Sequence, residues 1–188
     1  DNRESAADEE WRKTGLNGAL GEIVCISWAL GDGEIVEVHR DLGESEADML
    51  WDFFNLLGQG ITEQSNRRGK PASPIWTGHY ISGFDLRFIW QRCVINNVRP
   101  GIVIPYDAKP WGGEIFDTLI EWRGVKSAPG GSLDAVCKAM GLAGKGDIDG
   151  SKVWDYVKDG RLDEVGEYCK DDVKQVRDIQ KRMMFIEW

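Results

Sequence analysis

Asp172 is the residue least at home in its surroundings. Leu162, Val165, Cys169, Asp172, Val176, Ile179 and Met183 step by three and four, which puts them on one stripe of an α-helix running from about Leu162 to Met183. Six of these residues are apolar and belong against a core. The remaining one is a carboxylate, and an ionised group in a buried seam needs a partner or a cation. A bound metal ion is the first reading of Asp172. Two structural readings stand beside it: a buried ion pair, or a small rotation that leaves Asp172 on the rim and gives Val173 the core position. Tyr168 sits one turn earlier on the same face. A second candidate, Asp85, falls in the first turn of a helix that follows a strand, on a face with Phe88 and Ile89. Aspartate is favoured there by capping and by the helix dipole whatever the function. Two inward carboxylates on separate elements are nevertheless what a hard divalent cation requires.

The elements that must position these groups are legible as a pattern. Residues 6–13 read as a short polar helix and residues 23–30 as a continuous apolar run of strand length. Gly31-Asp32-Gly33 is a hairpin turn, and Ile35-Val36-Glu37-Val38 returns as the neighbouring strand. Ser45 and Asp48 resemble a capping box that opens a helix through Leu57, followed by an exposed loop or frayed end over residues 62–71. Residues 75–80 read as a strand, 84–96 as a helix, 102–104 as a short apolar segment and 115–119 as another strand. A helix capped by Ser132 and closed by Gly141, a loop over residues 144–150, a short helix near residues 153–157 and the long final helix complete the chain. Strands alternating with helices after a hairpin define an α/β class.

Bulk properties narrow the function. A chain of 188 residues reads as a single domain, residues 1–188, with a substantial core. No run of 18 apolar residues exists to span a membrane, and the opening residues have no secretory-signal pattern. Cys25, Cys93, Cys137 and Cys169 stand apart in apolar segments without C-x-x-C spacing, which indicates reduced core thiols and a cytoplasmic location. With only two histidines, a zinc site is disfavoured. The net charge of −9 argues against a long basic grip on duplex, so any nucleic-acid contact should be short and local or mediated by metal ions.

Several of these residues carry a resemblance. Gly78-His79-Tyr80-Ile81-Ser82-Gly83-Phe84-Asp85 resembles the second exonuclease motif of the DEDD 3′–5′ exonuclease superfamily, and Tyr168-Cys169-Lys170-Asp171-Asp172 resembles the third. Phe116-Asp117-Thr118, Ser132-Leu133, Gly144-Lys145 and Asp149-Gly150-Ser151 are similar to the exonucleases related to family B DNA polymerases. Tyr168 four residues before Asp172 points to the tyrosine (DEDDy) branch. The resemblance implies a ribonuclease H-like fold, a mixed central sheet with flanking helices. It also implies hydrolysis of phosphodiester bonds at the 3′ end of single-stranded nucleic acid, DNA in preference to RNA, with two Mg²⁺ or Mn²⁺ ions. By the same resemblance Asp172 ligates the first ion, Asp85 serves the second through water, and Tyr168 orients the attacking water. His79 and Phe84 are candidates to touch the terminal nucleotide. Trp111, with Lys109, is a candidate to stack on a base, and the loop with Arg67, Arg68 and Lys70 a candidate to meet phosphates.

Two departures from the pattern matter. Tyr80 stands where asparagine is usual. The first motif, D-x-E on a strand preceding residues 23–30, is not found, since Asp1, Glu4, Asp8, Glu9 and Glu10 lie in a polar context. The chain is therefore expected to be an incomplete view of a longer protein. Two rival functions follow: a catalytically impaired ribonuclease H-like module that binds nucleic acid, and an exoribonuclease of the same superfamily.

Overall fold

The computed structural model describes residues 14–71, 73–109, 111–124, 128–144 and 150–186. The expected helix over residues 6–13, the acids Asp1 to Glu10, and Lys145 and Asp149 lie outside the described residues.

Strands β1 (Cys25–Ala29) and β2 (Ile35–His39) form an antiparallel hairpin with Ser27 opposite Glu37. Helix α1 (Glu46–Arg68) starts at Ser45, whose hydroxyl accepts the Asp48 N–H at 3.2 Å, and ends at Gly69 in the left-handed conformation (φ 64°). The helix thus continues through residues 62–68, where the sequence suggested an exposed loop or a frayed helix end. Thr62 and Ser65 bond back to the Gly58 and Ile61 carbonyls, and Arg67 pairs with Glu63 one turn away. Gly60 lets this helix approach Leu30, the residue after β1, because a Cβ there would stand 2.6 Å from a Leu30 methyl.

Strand β3 (Trp76–Gly78) pairs in parallel with β4 (Ile115–Asp117), and helix α2 (Asp85–Ile95) lies between them in sequence. The expected strand over residues 115–119 stops at Asp117. Its carboxylate caps α3 (Thr118–Arg123) by accepting the Leu119 and Ile120 N–H groups, so Thr118 and Leu119 are helical. Residues 102–104 form no strand. Val103 is left 83% exposed while Ile104 turns into the core. Helices α4 (Leu133–Ala139), α5 (Val153–Lys158) and α6 (Leu162–Met183) complete an α/β chain with six helices among the described residues.

The sheet differs most from expectation. In place of one mixed central sheet, the described residues form two separate two-stranded pieces, β1–β2 and β3–β4. Among the described residues β1 and β3 are each paired on one side only, and both line a single cleft of about 950 Å³. No described strand lies between them.

Helices cover the two faces of this split sheet. On one side Leu50, Phe53, Phe54 and Leu57 of α1 and Leu86 and Cys93 of α2 form the largest cluster, joined by Ile26 and Trp28 of β1 and by Trp76 of β3. Trp28 meets Phe53 edge-on at 4.9 Å. On the other side α6 packs Leu162 and Val165 against Val157, and Ile179 against Leu133, Val136 and Cys137. An ion cluster is buried beside the first core. Arg92 holds Glu46 through Nε at 3.0 Å to both carboxylate oxygens and through Nη2 at 2.5 Å, with Asn96 and the Ile23 N–H completing the set.

Candidate active site

The long helix α6 carries Asp172 because its apolar stripe docks as the spacing requires. Leu162, Val165 and Ile179 are fully buried, and Asp172 is half-buried between them. The helix is fastened to both halves of the sheet. Arg177 donates to the Gly33 carbonyl at the β1–β2 turn (2.9 Å), and Lys170 pairs with Glu37 of β2 (3.1 Å). Gln180 donates to the Thr77 hydroxyl of β3 (3.1 Å). These ties aim the middle of α6 at the cleft, whose wall includes Cys169, Asp172, Val173 and Val176. Both Asp172 and Val173 therefore reach the cleft wall.

Asp85 lines the same cleft as the first residue of α2. Its side chain is open to water in the cleft yet hemmed in by protein. Burial raises its carboxyl, its own backbone N–H works against this, and the charges of Asp117 and Asp172 raise it again, to about 6. The two acids named from sequence are thus brought to one cavity, near enough for their charges to repel. Among the described residues Asp85 makes no ion pair. Asp172 Oδ1 is a buried acceptor that no described hydrogen bond reaches, although the residue does not lack interactions elsewhere.

A third carboxylate joins the site and was not singled out from sequence as a site residue. Asp117 is 1% exposed and accepts from the N–H groups of Tyr80 (2.9 Å) and Ser82 (3.0 Å) and from the Ser82 hydroxyl (2.6 Å), besides capping α3. It ties the end of β4 to the turn that delivers Asp85. That turn needs support, because Tyr80 has a left-handed backbone (φ 65°), which asparagine tolerates and tyrosine rarely adopts. The departure at Tyr80 is therefore a backbone matter, and Asp117 was hidden because residues 115–119 read as one strand, which masked the helix start it caps.

The other sequence-named residues are scattered. His79 lines the cleft, but its ring nitrogens are engaged within the protein, Nε2 with the Gly131 carbonyl (2.7 Å) and Nδ1 with the Thr118 hydroxyl (2.9 Å). It braces β3 against the α3–α4 connection, leaving the ring faces for any ligand. Phe84 is half-buried against Phe88 and lies on the cleft wall. Tyr168 is half-buried and is not on that wall, and Trp111 stands 79% exposed away from it. Arg67, Arg68 and Lys70 are exposed at the end of α1.

A divalent ion is compatible with this donor set. Among the described residues no group of three or more histidine, cysteine or acidic side chains converges as a metal cage. Two neighbouring carboxylates that repel each other and open onto a water-filled cleft still suit Mg²⁺, which commonly binds one or two protein carboxylates and completes its shell with water and phosphate oxygens.

Residues 113–186 match a family model described as a predicted 3′-5′ exonuclease related to the exonuclease domain of PolB. The matched stretch runs from β4 to the end of α6. It contains Asp117, Tyr168 and Asp172 and stops short of His79, Phe84, Asp85 and Trp111. No curated protein and no solved structure matches the chain. Over its C-terminal part the chain is similar to an exonuclease, and the match supports a nuclease, a hydrolase, as its class.

Proposed function

We propose that this chain is the catalytic part of a metal-dependent 3′–5′ exonuclease of the DEDDy type, acting on single-stranded DNA ends in a ribonuclease H-like framework. The observation that carries the reading is the meeting of Asp85 and Asp172 in one solvent-filled cleft, with Asp172 inside the family match. Asp172 and Asp85 would hold the cations. Bound Mg²⁺ or Mn²⁺ would supply an activated water and offset charge on the leaving oxygen. Asp117 fixes the turn that presents Asp85, and α6 sets the height of Asp172. Phe84 offers an apolar wall for a terminal base or sugar. Tyr168 would reach the attacking water only after turning toward the cleft from its half-buried seat. The four cysteines are free thiols, in keeping with a reducing cytoplasmic setting.

The test is a 5′-labelled single strand incubated with Mg²⁺, with Mn²⁺ or with EDTA. The expected result is a 3′-end ladder that needs metal and falls more than about a hundredfold in Asp172→Asn, since even outer partners of metal ligands cost 10–100-fold when changed. Binding of the strand without any ladder would favour the nucleic-acid-binding module. Preference for RNA over a matched DNA would reassign the substrate.

A further inference from the structure

The seam between β1 and α6 holds two thiols in contact. In the hairpin register Cys25 stands opposite His39, and Ser27 opposite Glu37. The Cys25 thiol donates to Glu37 Oε1 at 3.8 Å, and the other Glu37 oxygen takes the Lys170 ammonium at 3.1 Å. The same carboxylate lies over the bare Cα of Gly166. Cys169 sits between those two helix positions, three residues on from Gly166 and next to Lys170. Both cysteines pack on the cluster of Val157, Leu162 and Val165, and the Cys25 thiol is within hydrogen-bonding reach of the Cys169 sulfur. Both are half-buried and lie on the cleft wall. Cys93 and Cys137 are buried in two other clusters. Those two are isolated core thiols, whereas touching thiols on two packed elements already satisfy the short reach that a disulfide needs.

We propose that Cys25 and Cys169 are a redox-modification site, a dithiol that hands two electrons to a low-molecular-weight disulfide and closes into a bond between β1 and α6. The thiolate is the attacking species, and Cys25 is the poorer source of one. Its contact with Cys169, its burial and the charge of Glu37 all hold the proton on. Cys169 therefore attacks first, forming a mixed disulfide and expelling one small thiol, which carries away the Cys169 proton. Cys25 then attacks the Cys169 sulfur, and its proton leaves on the second small thiol. The protein dithiol is oxidised to one disulfide while the small disulfide is reduced to two thiols.

The bond would tie the hairpin to α6 three residues before Asp172, on the seam already held by Lys170 with Glu37 and Arg177 with Gly33. It opens again in a reducing setting, as intracellular redox-sensing disulfides do. The inference does not depend on the nuclease reading.

The probe is oxidised glutathione in excess over the full, folded chain, followed by acid quench, alkylation and mass spectrometry of a non-reducing digest. The expected result is one cross-link, Cys25 to Cys169, with Cys93 and Cys137 recovered alkylated. The oxidised chain should melt roughly 5–10 °C above the reduced one, and dithiothreitol should reverse the shift. In Cys25→Ser the reaction should stop at a glutathione adduct on Cys169. In Cys169→Ser the adduct on Cys25 should form at least about tenfold more slowly. A glutathione adduct that persists on Cys169 of the unmodified chain overturns the proposal. So does a cross-link that joins two chains, that involves Cys93 or Cys137, or that forms only when the chain is unfolded in urea. The map of the unmodified chain decides whether or not either variant folds.

Discussion

Glu46 and Asp85 are acids at the starts of the two helices that build the main core, and the molecule handles them in opposite ways. Glu46 is 6% exposed and met by Arg92, Asn96 and a backbone N–H. Burial pushes its carboxyl up, yet Arg92, the Ile23 N–H and Asn96 outweigh this and hold it below the ordinary carboxylate range. Asp85 has only its own N–H against burial and two neighbouring negative charges, and it moves the other way. The first arrangement is complete in itself. The second is a concentration of like charge at a solvent-filled opening, the kind of imbalance found where a ligand or cation is handled.

Perturbing each region should separate these roles. Glu46→Ala strands the buried Arg92 guanidinium and is expected to cost about 3–5 kcal/mol in urea unfolding, the largest effect among these substitutions. Asp117→Ala removes a cap and three hydrogen bonds to the Tyr80–Ser82 turn, and about 2 kcal/mol of lost stability is expected. A loss as small as that of a surface substitution would mean the turn holds itself. Asp172→Asn, by contrast, should leave stability in EDTA unchanged or slightly raised, because it relieves repulsion with Asp85. A large destabilisation would place Asp172 with Glu46, as a structural acid. Mg²⁺ at about ten times its dissociation constant should raise the stability of the unmodified chain by roughly 1.4 kcal/mol. Scanning calorimetry should show that gain absent in Asp172→Asn.

The gentlest test is pH. The folded pKa of Glu46 lies below its ordinary value of 4.5, so its contribution is present above that value. It is lost as pH falls through the lower folded pKa. Urea midpoints from neutrality downward should therefore decline more steeply on the acid side in the unmodified chain than in Glu46→Gln.

Sequence revealed most where the physics is local. The three-and-four stripe from Leu162 to Met183 needs only helical geometry, and it placed α6 and its misfit acid. The Ser45 cap of α1 was equally plain, but its far end was not, because the last turns are held by hydroxyls bonding back and by docking on Leu30 rather than by an apolar stripe. Long-range pairings left no trace in spacing. Nothing near Glu46 announces Arg92, and nothing near Asp117 announces the backbone of Tyr80 and Ser82. The divided sheet was equally hidden, since a continuous apolar run such as Ile23-Val24-Cys25-Ile26 reads as a buried strand and reports nothing about what pairs with its edges. The ring contacts of His79 were hidden for the same reason: Thr118 and Gly131 are distant in the chain.

Gly166 gives α6 one more property. A methyl group at that position would stand 2.5 to 2.7 Å from the Glu37 carboxylate, which is itself engaged by His39 and by Lys170 one turn further along the helix. The bare backbone at Gly166 therefore acts as a shim of zero thickness between helix and hairpin. Thickening it would push the Glu37 carboxylate aside, against its pairing with His39 and Lys170, at a point only six residues, roughly 9 Å, from Asp172. A single carbon atom there would strain one of the ion pairs that fasten the helix to the hairpin, less than two turns from the acid.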